Sequence, residues 1–177
     1  MRAGLAAFSS AGFYGASVRD IAERAGLSQA GLLHHYPSKE RLLEAVLGWR
    51  DDRSRRQLGE PAPEGIDLIR RLVAWPAAAR TRELVQLDVL VSAEGTAADY
   101  PVHGYVLERR AQTLEMVRGA FERAVATGHL RPGIDSTTAA RTMLALVDGL
   151  QLQWLLCPDE ADVEGDLRRC LQPWLTA

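Results

Sequence analysis

Nine residues within a short stretch near the start of the chain have types and spacing suited to one kind of chemistry: Ser17, Arg19, Ser28, Gln29, Ala30, Gly31, His34, His35 and Lys39. The hydroxyls of Ser17 and Ser28, the His35 imidazole and the Lys39 ammonium suit phosphate oxygens, contacts that set register rather than sequence. Gln29 is the best reader of a base, because a carboxamide pairs bidentately with adenine N6 and N7. Arg19 can reach a guanine or the backbone, and His34 an edge or a phosphate. Ala30 and Gly31 carry no hydrogen-bonding side chain; they permit close approach, and Ala30 can touch a thymine methyl. Lys39 opens a helix, where the helix dipole disfavours a cation, and a nearby phosphate would offset that cost.

These side chains need elements to hold them. Ser17 is a good N-cap, and Val18, Ile21, Ala22 and Ala25 follow at helical spacing on one face. Gly26 suits a left-handed exit from that helix, Leu27 is expected to plug the joint, and Ser28 to cap the next helix. Leu32 and Tyr36, four apart, point back toward the first of the two. Pro37 stops the second, since the residue before proline avoids the α region. Ser38 begins a longer helix with Arg41 at its third position, a half-formed capping box. Helix, tight turn, helix is the outline of a helix-turn-helix DNA reader. The same pattern also suits an αα corner in any helical protein.

The stretch resembles the N-terminal domain of the tetracycline-repressor (TetR) family of bacterial transcription factors. The shared residues are Ser17, Ile21-Ala22, Ala25-Gly26-Leu27-Ser28, Leu32, His35-Tyr36 and Ser38-Lys39. Leu33 stands where that family usually has a tyrosine that touches phosphate. The resemblance implies a DNA-binding head, a helical body for a small molecule, and a dimer in which two helices from each subunit pack together.

The whole chain fits such a division. Its 177 residues carry a net charge of −2, yet residues 1–57 hold nine Lys and Arg against six Asp and Glu, while the remainder is acidic. A mildly basic head on an acidic body suits a protein that presents one end to phosphate. With 47% hydrophobic residues the chain can build a core, and no apolar run reaches membrane-spanning length. No signal peptide opens it, so a cytoplasmic location is expected. Cys157 and Cys170 are too few for a disulfide scaffold and are expected as small packing residues. Catalytic, metal and cofactor sites are not expected. The histidines at 34, 35, 103 and 129 lack the spacing of a helical zinc pair, and no nucleophile-elbow, P-loop or dinucleotide motif occurs.

The pattern predicts an all-α fold of about nine helices: a three-helix helix-turn-helix domain, then an α-helical ligand-binding and dimerisation domain. The first helix should run from Ala3 to Ala11 and stop at Gly12, and the fourth from Ser38 to about Gln57. Gly59, Pro61, Pro63 and Gly65 mark a linker, dividing residues 1–57 from 58–177. Further helices are expected over Ile66–Trp75, Arg82–Ala93, Val102–Thr127, Ser136–Leu156 and Asp162–Leu175. Asp88, alone in the apolar run Val85 to Val91, needs a partner, for which Arg109 or Arg110 is expected; alternatively it orients a ligand. Trp75, Asp88, His103, Met143, Gln151 and Trp154 are candidates for a small-molecule pocket. Leu144, Val147, Leu150, Trp154, Val163, Leu167, Leu171 and Trp174 form the candidate dimer interface, and Gly149 among them suggests a close backbone approach. The expected partners are a double-stranded DNA operator, a small-molecule effector and a second copy of the chain, with no membrane. The expected function is a dimeric, ligand-responsive repressor on a palindromic operator. The alternative is a helical small-molecule-binding dimer with weakened or lost specific DNA binding.

Overall fold

The computed structural model describes residues 1–79 and 81–176, with the side chains of 75–79 left aside. Among the described residues there are nine α-helices and no strand: α1 (Arg2–Gly15), α2 (Val18–Arg24), α3 (Gln29–His35), α4 (Lys39–Leu58), α5 (Gly65–Ala79), α6 (Arg82–Glu94), α7 (His103–Ala126), α8 (Ser136–Leu156) and α9 (Val163–Leu171). The all-α expectation holds. None of these helices is long and apolar enough to cross a membrane.

Two compact units share the chain. The first joins Met1–Arg56 to Thr81–Leu107, and the second joins Gln57–Arg80 to Glu108–Ala177. In the first unit α6 packs along α1. Leu5 and Phe8 of α1, Leu42, Leu43, Val46 and Leu47 of α4, and Leu84, Leu87 and Val91 of α6 build its core. Asp88 sits beside these apolar side chains and is paired with Arg50 of α4, a partner the sequence pattern did not single out. Arg110 is bonded to Asp148 instead, 2.6 Å away at the surface. Arg50 is only 7% exposed. It also binds Asp51 at 3.0 Å, while the Tyr105 hydroxyl donates to the other oxygen of Asp51. Burial opposes the guanidinium charge, but Asp88 and Asp51 outweigh it and keep Arg50 protonated. A lone arginine here would be costly; two carboxylates balance it, one of them held in turn by a phenol.

The second unit is built differently. Ile66, Leu68 and Ile69 of α5, Val117 and Phe121 of α7, Ala140 and Met143 of α8, and Leu167 of α9 form a core of apolar side chains. Asp135 and Asp162 cap α8 and α9, accepting from the amides of Thr138 at 2.6 Å and Gly165 at 3.0 Å. The last helix ends earlier than expected, at Leu171, and a 3-10 turn over Gln172–Trp174 replaces its final turn. Pro173 lacks the N–H that would continue the ladder. Both cysteines are exposed rather than packed. Among the described residues outside its own helix turn, nothing lies within 4 Å of a Cβ built on Gly149, so the expected close approach is not made there.

Candidate nucleic-acid interface

The turn between α2 and α3 follows from its residues. Ala25 ends α2, and Gly26 takes φ +71°, where a glycine avoids the Cβ penalty. The Gly26 amide donates to Glu23 O at 3.0 Å and the Leu27 amide to Ala22 O at 2.9 Å. This pair of bonds is the Schellman arrangement, and it satisfies carbonyls that the helix end would otherwise leave open. Ile21 and Ala22 are each 1% exposed and Leu32 4%. These three anchor the helix pair on α1 and α4. Leu27 departs from its expected role as a plug, since it remains 43% exposed. Tyr36 is half-buried against the core, as its apolar ring suggests.

Three serines cap three helices. Ser17 accepts from the Asp20 amide at 3.4 Å, Ser28 from the Gly31 amide at 3.0 Å and Ser38 from the Arg41 amide at 3.3 Å. Each cap uses one lone pair of a hydroxyl that has a proton and another lone pair left. The exposed Ser17 and Ser28 can therefore cap a helix and donate to a phosphate at the same time.

The candidate DNA-contact residues come to the surface. Ser17, Arg19, Ser28, Gln29, Ala30, His34 and His35 are all exposed, and Gly31 is partly covered. Only Leu32 of α3 is buried, so most of the helix faces solvent. His34 and His35 meet edge to face with ring centroids 5.6 Å apart. Leu33 is half-buried.

Lys39 is held differently from the other eight. Its ammonium donates to Ala16 O at 3.1 Å and lies 4.3 Å above the Phe13 ring. The residue thus ties the start of α4 to the segment just before the Ser17 cap. The first helix also departs from expectation. It does not stop at Gly12 but breaks there, at φ 66° and ψ −172°, and continues to Gly15. Glu94, at the end of α6, accepts from the Phe13 amide at 3.0 Å just past the break. Sequence patterns gave no sign of Glu94, because its partner is 81 residues away.

The other candidate residues fall into separate groups. In the first unit Asp88 is engaged by Arg50, and His103 Nδ1 is 2.8 Å from Gly95 O, to which it donates. In the second, Met143 is a core residue at 1% exposure, Trp154 packs half-buried against that core, and Gln151 is buried at 4% with its Nε2 lacking a partner. The Trp75 side chain lies outside the described residues. Of the candidate interface residues, Leu144, Val163, Leu167 and Leu171 are buried within the chain's own core. Val147, Leu150, Trp154 and Trp174 are half-buried. Leu152 and Leu156, which the pattern did not single out, are the exposed apolar side chains of α8 at 45% and 72%. Among the described residues no group of three or more His, Cys, Asp or Glu side chains could hold a metal ion.

Comparison with known proteins matches two stretches of the chain. Residues 1–46 match the family of bacterial regulatory proteins named for tetR, and residues 76–172 match the C-terminal region of BetI-type transcriptional repressors. The transcriptional regulator TtgR of Pseudomonas putida is 29% identical over 175 residues, spanning 92% of this chain and 81% of that protein. The transcriptional repressor KstR2 of Mycolicibacterium smegmatis is 27% identical over 132 residues, 72% of this chain and 64% of the relative. Among solved structures, a TetR-family regulator from Rhodococcus sp. superposes with a TM-score of 0.79 at 27% identity, covering 99% of this chain and 95% of the other. A transcriptional regulator from Saccharomonospora viridis, solved in complex with choline, shares the fold at a TM-score of 0.80 and 21% identity, with 99% and 95% covered.

Proposed function

This chain belongs to the TetR family of bacterial transcriptional regulators, and on that premise we propose that it acts as a homodimer on a palindromic operator, which it releases when a small molecule occupies its helical body. The observation that carries the reading is the state of α3. It is anchored by one buried leucine, capped by Ser28, and otherwise presents Gln29, Ala30 and His34 to solvent. In this reading Gln29 reads a base in the major groove, with Arg19 and His34 assisting. Ala30 and Gly31 allow the helix to approach closely, and Ser17, Ser28 and His35 grip phosphates. Lys39 joins them only by giving up, or sharing, its bond to Ala16. Residues 1–57 serve as the reading domain and 58–177 as the ligand-binding and dimerisation domain.

A dimer is supported by the apolar end of α8, where Leu152 and Leu156 face solvent beside the half-buried Trp154. Two heads related by a dyad read half-sites separated by about 34 Å or a multiple of it. A small-molecule effector is supported by Gln151, a buried amide with an unused donor. The choline complex of a protein with the same fold adds to that support. Coupling between effector and operator then requires that each bind better to a different state of the protein.

Fluorescence anisotropy with duplex DNA flanking the chain's own gene, at fixed salt, tests the proposal. The wild-type protein should prefer that duplex to a scrambled one, and Gln29→Ala should weaken specific binding by about 1–3 kcal/mol. Equal, salt-labile binding to both duplexes would point instead to a ligand-binding dimer without sequence reading.

A further inference from the structure

Glu94 performs a task that no reading of the DNA-facing surface includes. The break at Gly12 turns the chain just before Phe13, and a buried backbone N–H at such a point needs an acceptor. Glu94 Oε2 supplies it at 3.0 Å. The fit is close, because a Cβ on Gly12 would run into Glu94 Oε1. The positive φ of Gly12 and the carboxylate of Glu94 therefore belong to one joint.

What hangs from that joint is the reading apparatus. The Phe13 ring stacks on Phe8 with centroids 6.5 Å apart and meets Tyr100 edge-on at 6.0 Å. Lys39 Nζ lies 4.3 Å over the same ring and donates to Ala16 O at 3.1 Å. Ala16 directly precedes Ser17, the cap of α2. Direct contacts thus lead from the end of α6, through the Phe13 backbone and ring, to Lys39 and to Ala16, the residue just before the helix-turn-helix. Tyr100 closes the back of the joint. Its hydroxyl is buried without a hydrogen-bond partner, and burial, with the Glu94 charge adding to it, pushes the phenol far above its ordinary value and keeps it neutral.

We propose that Glu94 is a positioning residue for DNA reading: by holding the Phe13 amide at the α1 break, it fixes where α2 and α3 are presented. The inference rests on the proposed DNA reading, and it gives α6 a grip on the recognition helix through α1. Glu94 touches no DNA. It acts through the backbone to which the reader is attached.

The test uses the full chain, a duplex selected by the wild-type protein from a randomised pool, and a scrambled duplex. Glu94→Ala should lose about tenfold in affinity for the selected duplex while its binding to the scrambled duplex is unchanged, since one charge-assisted acceptor is removed from the joint and no phosphate contact is touched. Glu94→Gln keeps a carbonyl oxygen for the Phe13 amide and should stay within about threefold of wild type. Amide hydrogen exchange should quicken over residues 13–36 in Glu94→Ala and stay unchanged over residues 163–171. Wild-type affinity and exchange in Glu94→Ala would overturn the inference, as would a Glu94→Gln variant as weak as Glu94→Ala. So would equal losses on both duplexes, which signal general damage. A wild-type protein that selects no duplex refutes the DNA reading itself; the exchange experiment then still decides whether Glu94 holds the joint.

Discussion

The two compact units solve the problem of holding helices together by different means. The first places charged groups at its joints. Arg50 links α4 to Asp88 of α6 and through Asp51 to Tyr105 of α7, Glu94 holds the break in α1, and Lys39 ties α4 to the start of α2. In the second, Gln151 is the one buried polar side chain among the described residues, and the core is otherwise aliphatic and aromatic. Hydrophobic burial is strong but has no direction, whereas a charge-assisted hydrogen bond between ions or from an amide to a carboxylate fixes distance and angle. A DNA duplex is a rigid partner with set groove spacing, so the unit that meets it gains from directional joints. A unit that closes on small molecules or on its own copy needs shape and apolar area more than fixed angles.

That contrast can be broken first at Asp88. Asp88→Ala leaves Arg50 with half of its counter-charge in a buried site and should cost about 3 kcal/mol, as much as deleting the fully buried Leu167 side chain of the other unit, also about 3 kcal/mol. Urea unfolding followed by circular dichroism gives both numbers. A loss below about 1 kcal/mol for Asp88→Ala would show that the ion pairs of the first unit are ornaments of an apolar core. The opposite kind of change belongs on α8. Leu152→Glu with Leu156→Glu removes exposed apolar surface, so the helical signal should be unchanged while sedimentation shows a dimer weakened by at least tenfold, the scale of ~1.4 kcal/mol. An unaffected dimer would place its interface elsewhere.

The smallest effect is expected at the turn. Gly26→Ala meets no neighbouring atom and is opposed only by its positive φ, so it should cost about 1 kcal/mol. A thermal melt should register it as a small downward shift. A much larger loss would mean that the helix pair tolerates no adjustment of the turn.

What the sequence made legible follows the range of the interactions involved. The caps at Ser17 and Ser28, the left-handed Gly26 and the burial of Ile21, Ala22 and Leu32 are settled within a few residues, and local spacing found them all. Gly12 predicts a helix end because glycine breaks helices; α1 instead resumes beyond it, where its first amide meets Glu94 from far along the chain. Asp88 needs a cation, as its apolar surroundings require, but the cation is Arg50, 38 residues away on α4, and no periodicity carries that. The apolar stripes of α8 and α9 were visible as well. What they did not show is that Leu152 and Leu156, outside the expected stripe, are left exposed while Leu167 and Leu171 turn inward, because exposure depends on which neighbouring helix covers each position. Lys39 kept its place in the motif yet points to Ala16 and Phe13, since its long stem lets the ammonium reach a carbonyl within the fold.

The single buried leucine of α3 has a bearing on how such a protein changes over time. Substitutions at exposed positions away from caps and cores usually shift stability by no more than about 0.5 kcal/mol. Gln29, Ala30 and His34 are such positions, whereas Leu32, Ser28 and the joint at Gly12 are not. Under the proposed reading, two copies of this gene diverge to different operators by exchanging three surface side chains, while the anchor, the cap and the charged joints pass unchanged from one to the other.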